Sequence, residues 1–64
     1  MMVFKDIDKI LRANDWYKVR VNSSHNIYKH EGFTISLSVP NHGKISISTG
    51  VVKSLERATG LSFR

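Results

Sequence analysis

Histidine is the side chain whose unperturbed pKa, about 6.5, lets it exchange protons near neutral pH. The chain has three. Two stand in the stretch Arg20-Val21-Asn22-Ser23-Ser24-His25-Asn26-Ile27-Tyr28-Lys29-His30, and the third lies in Asn41-His42-Gly43-Lys44. A polar turn, Asn22-Ser23-Ser24, delivers His25 at the start of a β-like segment. Lys18, Arg20 and Lys29 surround that hairpin in sequence, with Glu31 the nearest acid. The combination suits proton exchange beside an anion. A turn histidine also serves as an ordinary surface or capping residue, so the type alone does not decide. His25 and His30 match half of a zinc-finger spacing, but there is no cysteine to complete it and no metal site is expected.

The bulk properties narrow the setting. Sixty-four residues make one domain, 1–64. A chain so short buries only about 60% of its unfolded surface, and this one lacks the disulfides that often compensate. Binding to a protein partner is then the natural extra source of stability. Ten Lys and Arg against five Asp and Glu give a net charge of +5. That balance points to an anionic partner: nucleic acid, a membrane surface or an acidic protein. No apolar run approaches the roughly 20 residues of a spanning helix. The opening Met1-Met2-Val3-Phe4-Lys5-Asp6 lacks the apolar core of a signal peptide. Absence of cysteine fits a reducing compartment, and a cytoplasmic location is expected.

The elements that must position the histidines follow from periodicity. Phe4, Ile7, Ile10 and Leu11 form one apolar stripe, which predicts a helix over Phe4–Ala13. Asn14-Asp15 is its exit, because Asn tolerates the left-handed conformation that ends many helices. Trp16 is expected to pack across the helix end. Tyr17–Val21 alternates, so Tyr17, Val19 and Val21 are expected inward, with Lys18 and Arg20 on the open face. His25–His30 is the second strand; alternation puts His25 on the face of Ile27 unless the turn breaks the phase. After the turn Glu31-Gly32, Thr34–Val39 reads as a third strand with Ile35, Leu37 and Val39 inward, stopped by Pro40. Ile45-Ser46-Ile47 touches the core without a clear secondary structure. Ser46 or Ser48 caps a helix over Thr49–Thr59 carrying Val51, Val52, Leu55 and Ala58, and Gly60 ends it. Leu61 and Phe63 fold back, and Arg64 is a frayed end. The result is an α+β domain of order α-β-β-β-α: a three-stranded antiparallel sheet with two helices on one face.

These elements and their local motifs resemble the HicA family of bacterial toxins, small mRNA-cleaving proteins with a double-stranded-RNA-binding-domain-like α-β-β-β-α fold. The family pattern runs from a helix into Gly-Trp or Gly-Phe, then Gly-Ser-His with a second histidine five residues on. A Val-Pro-x-His loop follows, then a Gly-Thr-Leu helix ending in Ala-Gly-Leu. The chain reads Asp15-Trp16, Ser23-Ser24-His25 with His30, Val39-Pro40-Asn41-His42, Gly50-Val51-Val52 and Ala58-Thr59-Gly60-Leu61. Each motif is weak alone, and their order and spacing over nearly the whole chain are specific. Asp15 and Ser23 stand where the pattern has glycine. If those glycines serve a positive φ, serine adopts it less readily.

The resemblance implies a metal-free endoribonuclease of mRNA in which His25 is the catalytic histidine. A neutral imidazole can take the proton of a ribose 2′-hydroxyl, which then attacks the adjacent phosphorus. Arg20, Lys29 and Lys44 are the candidate cations for the phosphoryl oxygens, with Ser24 as a hydrogen-bond donor. The general acid stays open among His30, His42 and water. No cofactor or metal is implied, and the implied partners are mRNA and a HicB-like acidic antitoxin. Two other readings use the same residues: a non-catalytic RNA-binding module, and an inactive remnant that only binds its antitoxin.

Overall fold

A computed structural model of the protein describes residues 2–63. The frayed end expected at Arg64 lies outside them. The order is α1 Phe4–Ala13, β1 Tyr17–Asn22, β2 His25–Lys29, β3 Leu37–Pro40 and α2 Thr49–Thr59. The strands form one antiparallel sheet in the order β1-β2-β3. Together these make an α+β fold of the double-stranded-RNA-binding-domain type.

Both helices begin and end where their stripes and caps predict. At the start of α1 the Asp6 carboxylate accepts the Val3 N–H at 3.0 Å, satisfying a donor that has no partner inside the helix. The left-handed residue after α1 is Asp15, with φ 70°, and not Asn14, whose φ is −116°. Asn14 instead donates its side-chain amide to the Ile10 carbonyl at 2.8 Å. Ser48, not Ser46, caps α2, its Oγ accepting from the Val51 N–H at 3.4 Å. Gly60 takes φ 76° and its N–H reaches the Glu56 carbonyl at 2.8 Å, a left-handed helix end that suits glycine. The tail folds back as expected: the Phe63 N–H donates to the Glu56 carboxylate at 2.9 Å, and its ring is buried.

The core is made by Ile7 and Leu11 of α1, Trp16, Tyr28 of β2, Leu37 and Val39 of β3, Ile47, Val52 and Leu55 of α2, and Phe63. β1 contributes nothing to it. Tyr17, Val19 and Val21 are 47%, 45% and 57% exposed, which corrects the inward placement that alternation predicts. Tyr17 is on the open face because it pairs with Lys29, Val21 shares the helix side with Asn26 but lies uncovered on the outer strand, and Val19 sits in a bulge. Tyr17 pairs with Lys29 and Lys18 with Tyr28, but Arg20 then pairs with Ile27, so Val19 is an extra residue on β1. An extra residue shifts every later side chain to the other face. Before the bulge Lys18 shares the helix-side face of Tyr28; after it Arg20 shares the open face of Ile27. Lys18 is therefore not on the open face with Arg20.

β3 is also shorter than Thr34–Val39. The chain turns after β2, with the Phe33 N–H on the His30 carbonyl at 3.1 Å. Phe33 is drawn onto Trp16, the rings 4.8 Å apart. The residues before Leu37 are spent on that wrap, leaving Ile35 exposed, while Leu37 and Val39 are buried as expected.

Candidate active site

A two-residue turn, Ser23-Ser24, joins the paired residues Asn22 and His25. Tight hairpin loops of this length need positive φ at the first central residue, a conformation glycine adopts most readily. Ser23 takes it, at φ 57°. Thus both positions that carry Asp15 and Ser23 in place of glycine are left-handed.

The next residue, His25, is exposed. It lies between Asn22 of β1 and Pro40 of β3, on the face it shares with Ile27 and Lys29. That face is the open one, since the core side of β2 carries the buried Asn26 and Tyr28. The Ser24 carbonyl accepts the Asn41 N–H at 2.7 Å and the buried Asn26 side-chain amide at 3.5 Å. The hairpin turn, the loop after β3 and β2 are thus tied at one oxygen beside His25. In that loop the Asn41 side-chain oxygen accepts the Gly43 N–H at 3.0 Å, and Gly43 has φ 66°. His42 and Lys44 accordingly belong to a turn that starts at the rim where His25 stands.

Of the candidate cations, Arg20 is nearest by strand register. It lies diagonally across from His25, two residues before Asn22, about 7–8 Å away between backbones and within reach of a long side chain. Lys29 is four residues along the same strand, about 13 Å away. Arg20 and Lys29 both line a shallow depression of about 380 Å³ on the open face, with Val19, Ile27 and Ser36. Val19, expected in the core, thus lines the candidate surface, and Tyr17, also expected in the core, stands exposed beside it opposite Lys29. The irregular spacing of the bulge was not visible in the residue pattern.

His30 has a different environment. Its ring lies 5.1 Å from Trp16 and 5.1 Å from Phe33, and its Nδ1 accepts the Gly32 N–H at 2.9 Å. It is on the helix side of the strand, facing away from His25. One further network was not legible. The buried Tyr28 hydroxyl donates to the Asp8 carboxylate, and Arg12 Nε reaches both Asp8 oxygens at 3.0 Å. Burial pushes the Tyr28 phenol well above its ordinary value of 10.0, helped by the bond to Asp8 and its charge. For Asp8 burial alone would raise the carboxyl, but the bonds from Tyr28 and Arg12 and the charges of Arg12 and Lys18 outweigh it. They hold Asp8 below its ordinary 3.8. These groups clamp α1 to β2 beneath the open face. Among the described residues no buried side-chain nitrogen or oxygen lacks a partner, and no helix is long and apolar enough to cross a membrane.

The fold and its histidine-bearing hairpin define a small basic domain of the double-stranded-RNA-binding-domain type. Residues 4–61 match the family model described as the HicA toxin of bacterial toxin-antitoxin. The match spans nearly the whole chain, so the protein belongs to the HicA family and is a toxin of a toxin–antitoxin system. A comparison with curated proteins gives no significant match.

Proposed function

We propose that the protein is an endoribonuclease that cleaves mRNA without a metal, using His25, and that a HicB-like acidic antitoxin silences it. The observation that carries the reading is the exposed His25 at the rim of the open face, with Arg20 diagonal to it and its backbone fastened through Ser24.

In the reaction, the neutral His25 imidazole takes the proton of a ribose 2′-hydroxyl. The 2′-oxygen attacks the neighbouring phosphorus and the P–O5′ bond breaks. The products are a 2′,3′-cyclic phosphate and a 5′-hydroxyl. The leaving O5′ takes its proton from water or from His42, whose loop begins at the same rim, and His25 returns its proton to solvent. His30, turned to the helix side and engaged with Trp16 and Phe33, has no part in proton transfer. Arg20 lies nearest to stabilise the charge gathering on the phosphoryl oxygens; Lys44 adds charge from the loop, and Ser24 a hydroxyl beside His25. Acid–base help of this kind contributes about 10² to 10⁴-fold. An acidic partner seated over His25 would both neutralise the net +5 and stabilise a domain of limited core.

The test is RNA cleavage by the purified protein in EDTA, beside His25→Ala. Cyclic phosphate ends made by the wild type and not by the variant support the reading. Intact RNA bound equally by both proteins would make this a binding module and remove His25 from catalysis.

A further inference from the structure

The open face carries more than a histidine. Exposed apolar side chains on a small basic domain call for an occupant when they are contiguous. Here Val19 and Ile27 share a depression with the cations Arg20 and Lys29. Tyr17, which pairs with Lys29, stands exposed at its end. None of the five carboxylates lies on a strand. Asp6 and Asp8 are on α1, Glu56 is on α2, and Asp15 and Glu31 flank the far end, lining a neighbouring depression with Tyr17 and His30.

We infer that this face is a short track for single-stranded RNA, running from His25 to Tyr17 and ending at the Asp15–Glu31 pair. The inference rests on the ribonuclease reading for the identity of the strand. Arg20 and Lys29 meet phosphates. Val19 and Ile27 floor a slot for a base, and the Tyr17 ring offers a face on which the next base stacks. The span from His25 to Lys29, about 13 Å of β-strand, holds only a few nucleotides. Beyond Tyr17 the two carboxylates repel the backbone, which sets the length of the track.

Single-stranded RNA is the occupant for two reasons. Bases can enter a slot and stack on a ring only when unpaired. In addition, attack by the 2′-oxygen in line with the departing O5′ needs a sugar–phosphate link free to rotate out of its helical geometry. The fold class alone would suggest duplex RNA recognised by shape, so the two substrates can be set against each other.

The experiment uses the whole protein and a fluorescein-labelled 2′-O-methyl pentanucleotide, which has no free 2′-hydroxyl at the sites of attack, read by fluorescence anisotropy. Tyr17→Val keeps a strand-forming residue and removes the ring; it is expected to weaken binding about 5- to 10-fold, while Tyr17→Phe stays within about twofold of the wild type. Arg20→Ala is expected to lower the slope of log affinity against log salt by about 0.7, the signature of one lost phosphate contact, and Tyr17→Val to leave that slope unchanged. The same strand paired to its complement should bind at least about tenfold more weakly. Equal binding of duplex and single strand overturns the track, and so does wild-type affinity in Tyr17→Val, which would leave the face to a protein partner. If RNA is never cleaved yet Tyr17→Val loses the pentanucleotide, the track stands and the ribonuclease reading falls. If cleavage requires His25 and Tyr17→Val binds normally, the track falls alone.

Discussion

β2 presents two faces made from consecutive residues, and they differ in how completely their polar groups are already engaged. On the helix side Asn26 is buried against the Ser24 carbonyl, Tyr28 is bonded to Asp8, and His30 accepts from Gly32 while packed on Trp16 and Phe33. On the open side His25 and Lys29 are exposed. Two histidines five residues apart thus have opposite circumstances. The contrast teaches that a side chain able to titrate becomes available for chemistry only where the fold leaves its hydrogen bonds unspent. Sequence proximity to the site says little; strand parity says most.

The contrast can be broken most directly at the histidines. His25→Ala is expected to lower cleavage by about 10² to 10⁴-fold without a measurable change in the urea midpoint. His30→Ala is expected to do the reverse, keeping cleavage and losing about 1 kcal/mol from its aromatic contacts. Loss of cleavage in His30→Ala at full stability would erase the distinction between the faces.

The helix side is sharpened by Tyr28→Phe, which removes a hydroxyl and leaves the Asp8 carboxylate short of a donor. A loss of about 1–3 kcal/mol is expected in urea titrations. Its pH dependence has a sign. Asp8 sits below 3.8 in the fold, so its contribution is present above 3.8 and fades as pH falls through the lower folded value. Tyr28 sits above 10.0, so its contribution is present below 10.0 and fades as pH rises further. Tyr28→Phe should therefore show a shallower decline on the acid side and no tyrosine-linked decline on the alkaline side. Equal pH slopes in the two proteins would detach the clamp from stability.

The smallest effects concern the left-handed residues. Ser23→Gly is expected to stabilise by about 0.5–1 kcal/mol, because a side chain at positive φ costs about 1–2 kcal/mol and glycine returns part of that as chain entropy. Asp15→Gly should gain less, since aspartate visits this region more easily than serine. A destabilised Ser23→Gly would mean that the Ser23 side chain supports the hairpin in a way its φ does not reveal.

Much of this was legible from residue order and some was not. The helices came through to the residue because apolar stripes and the Ser48 and Gly60 caps are local signals. The strand order followed from short connections. Tyr17 and Lys18 have the reverse of the faces that alternation predicts because Tyr17 pairs with Lys29, and the extra residue Val19, which carries no compositional mark, then turns Arg20 to the open face. β3 is shorter than alternation predicts because Phe33 answers to Trp16, seventeen positions earlier, and not to its neighbours. For the candidate site, the turn that exposes His25 was readable, and so was its alternation with Ile27. The two share the open face, where Ile27 is only half-buried. The Asp8–Tyr28 clamp joins residues from different elements and has no signature in either segment.

The bulge at Val19 also has a bearing on self-assembly. β1 is an outer strand of the sheet, and a straight outer strand offers a regular row of donors and acceptors to which an identical chain can add. With Val19 inserted, that row is interrupted midway and locally twisted, so a second copy finds no continuous register to extend. The same residue that turns Arg20 toward the open face thereby guards a sticky, valine-rich margin against fibrous growth.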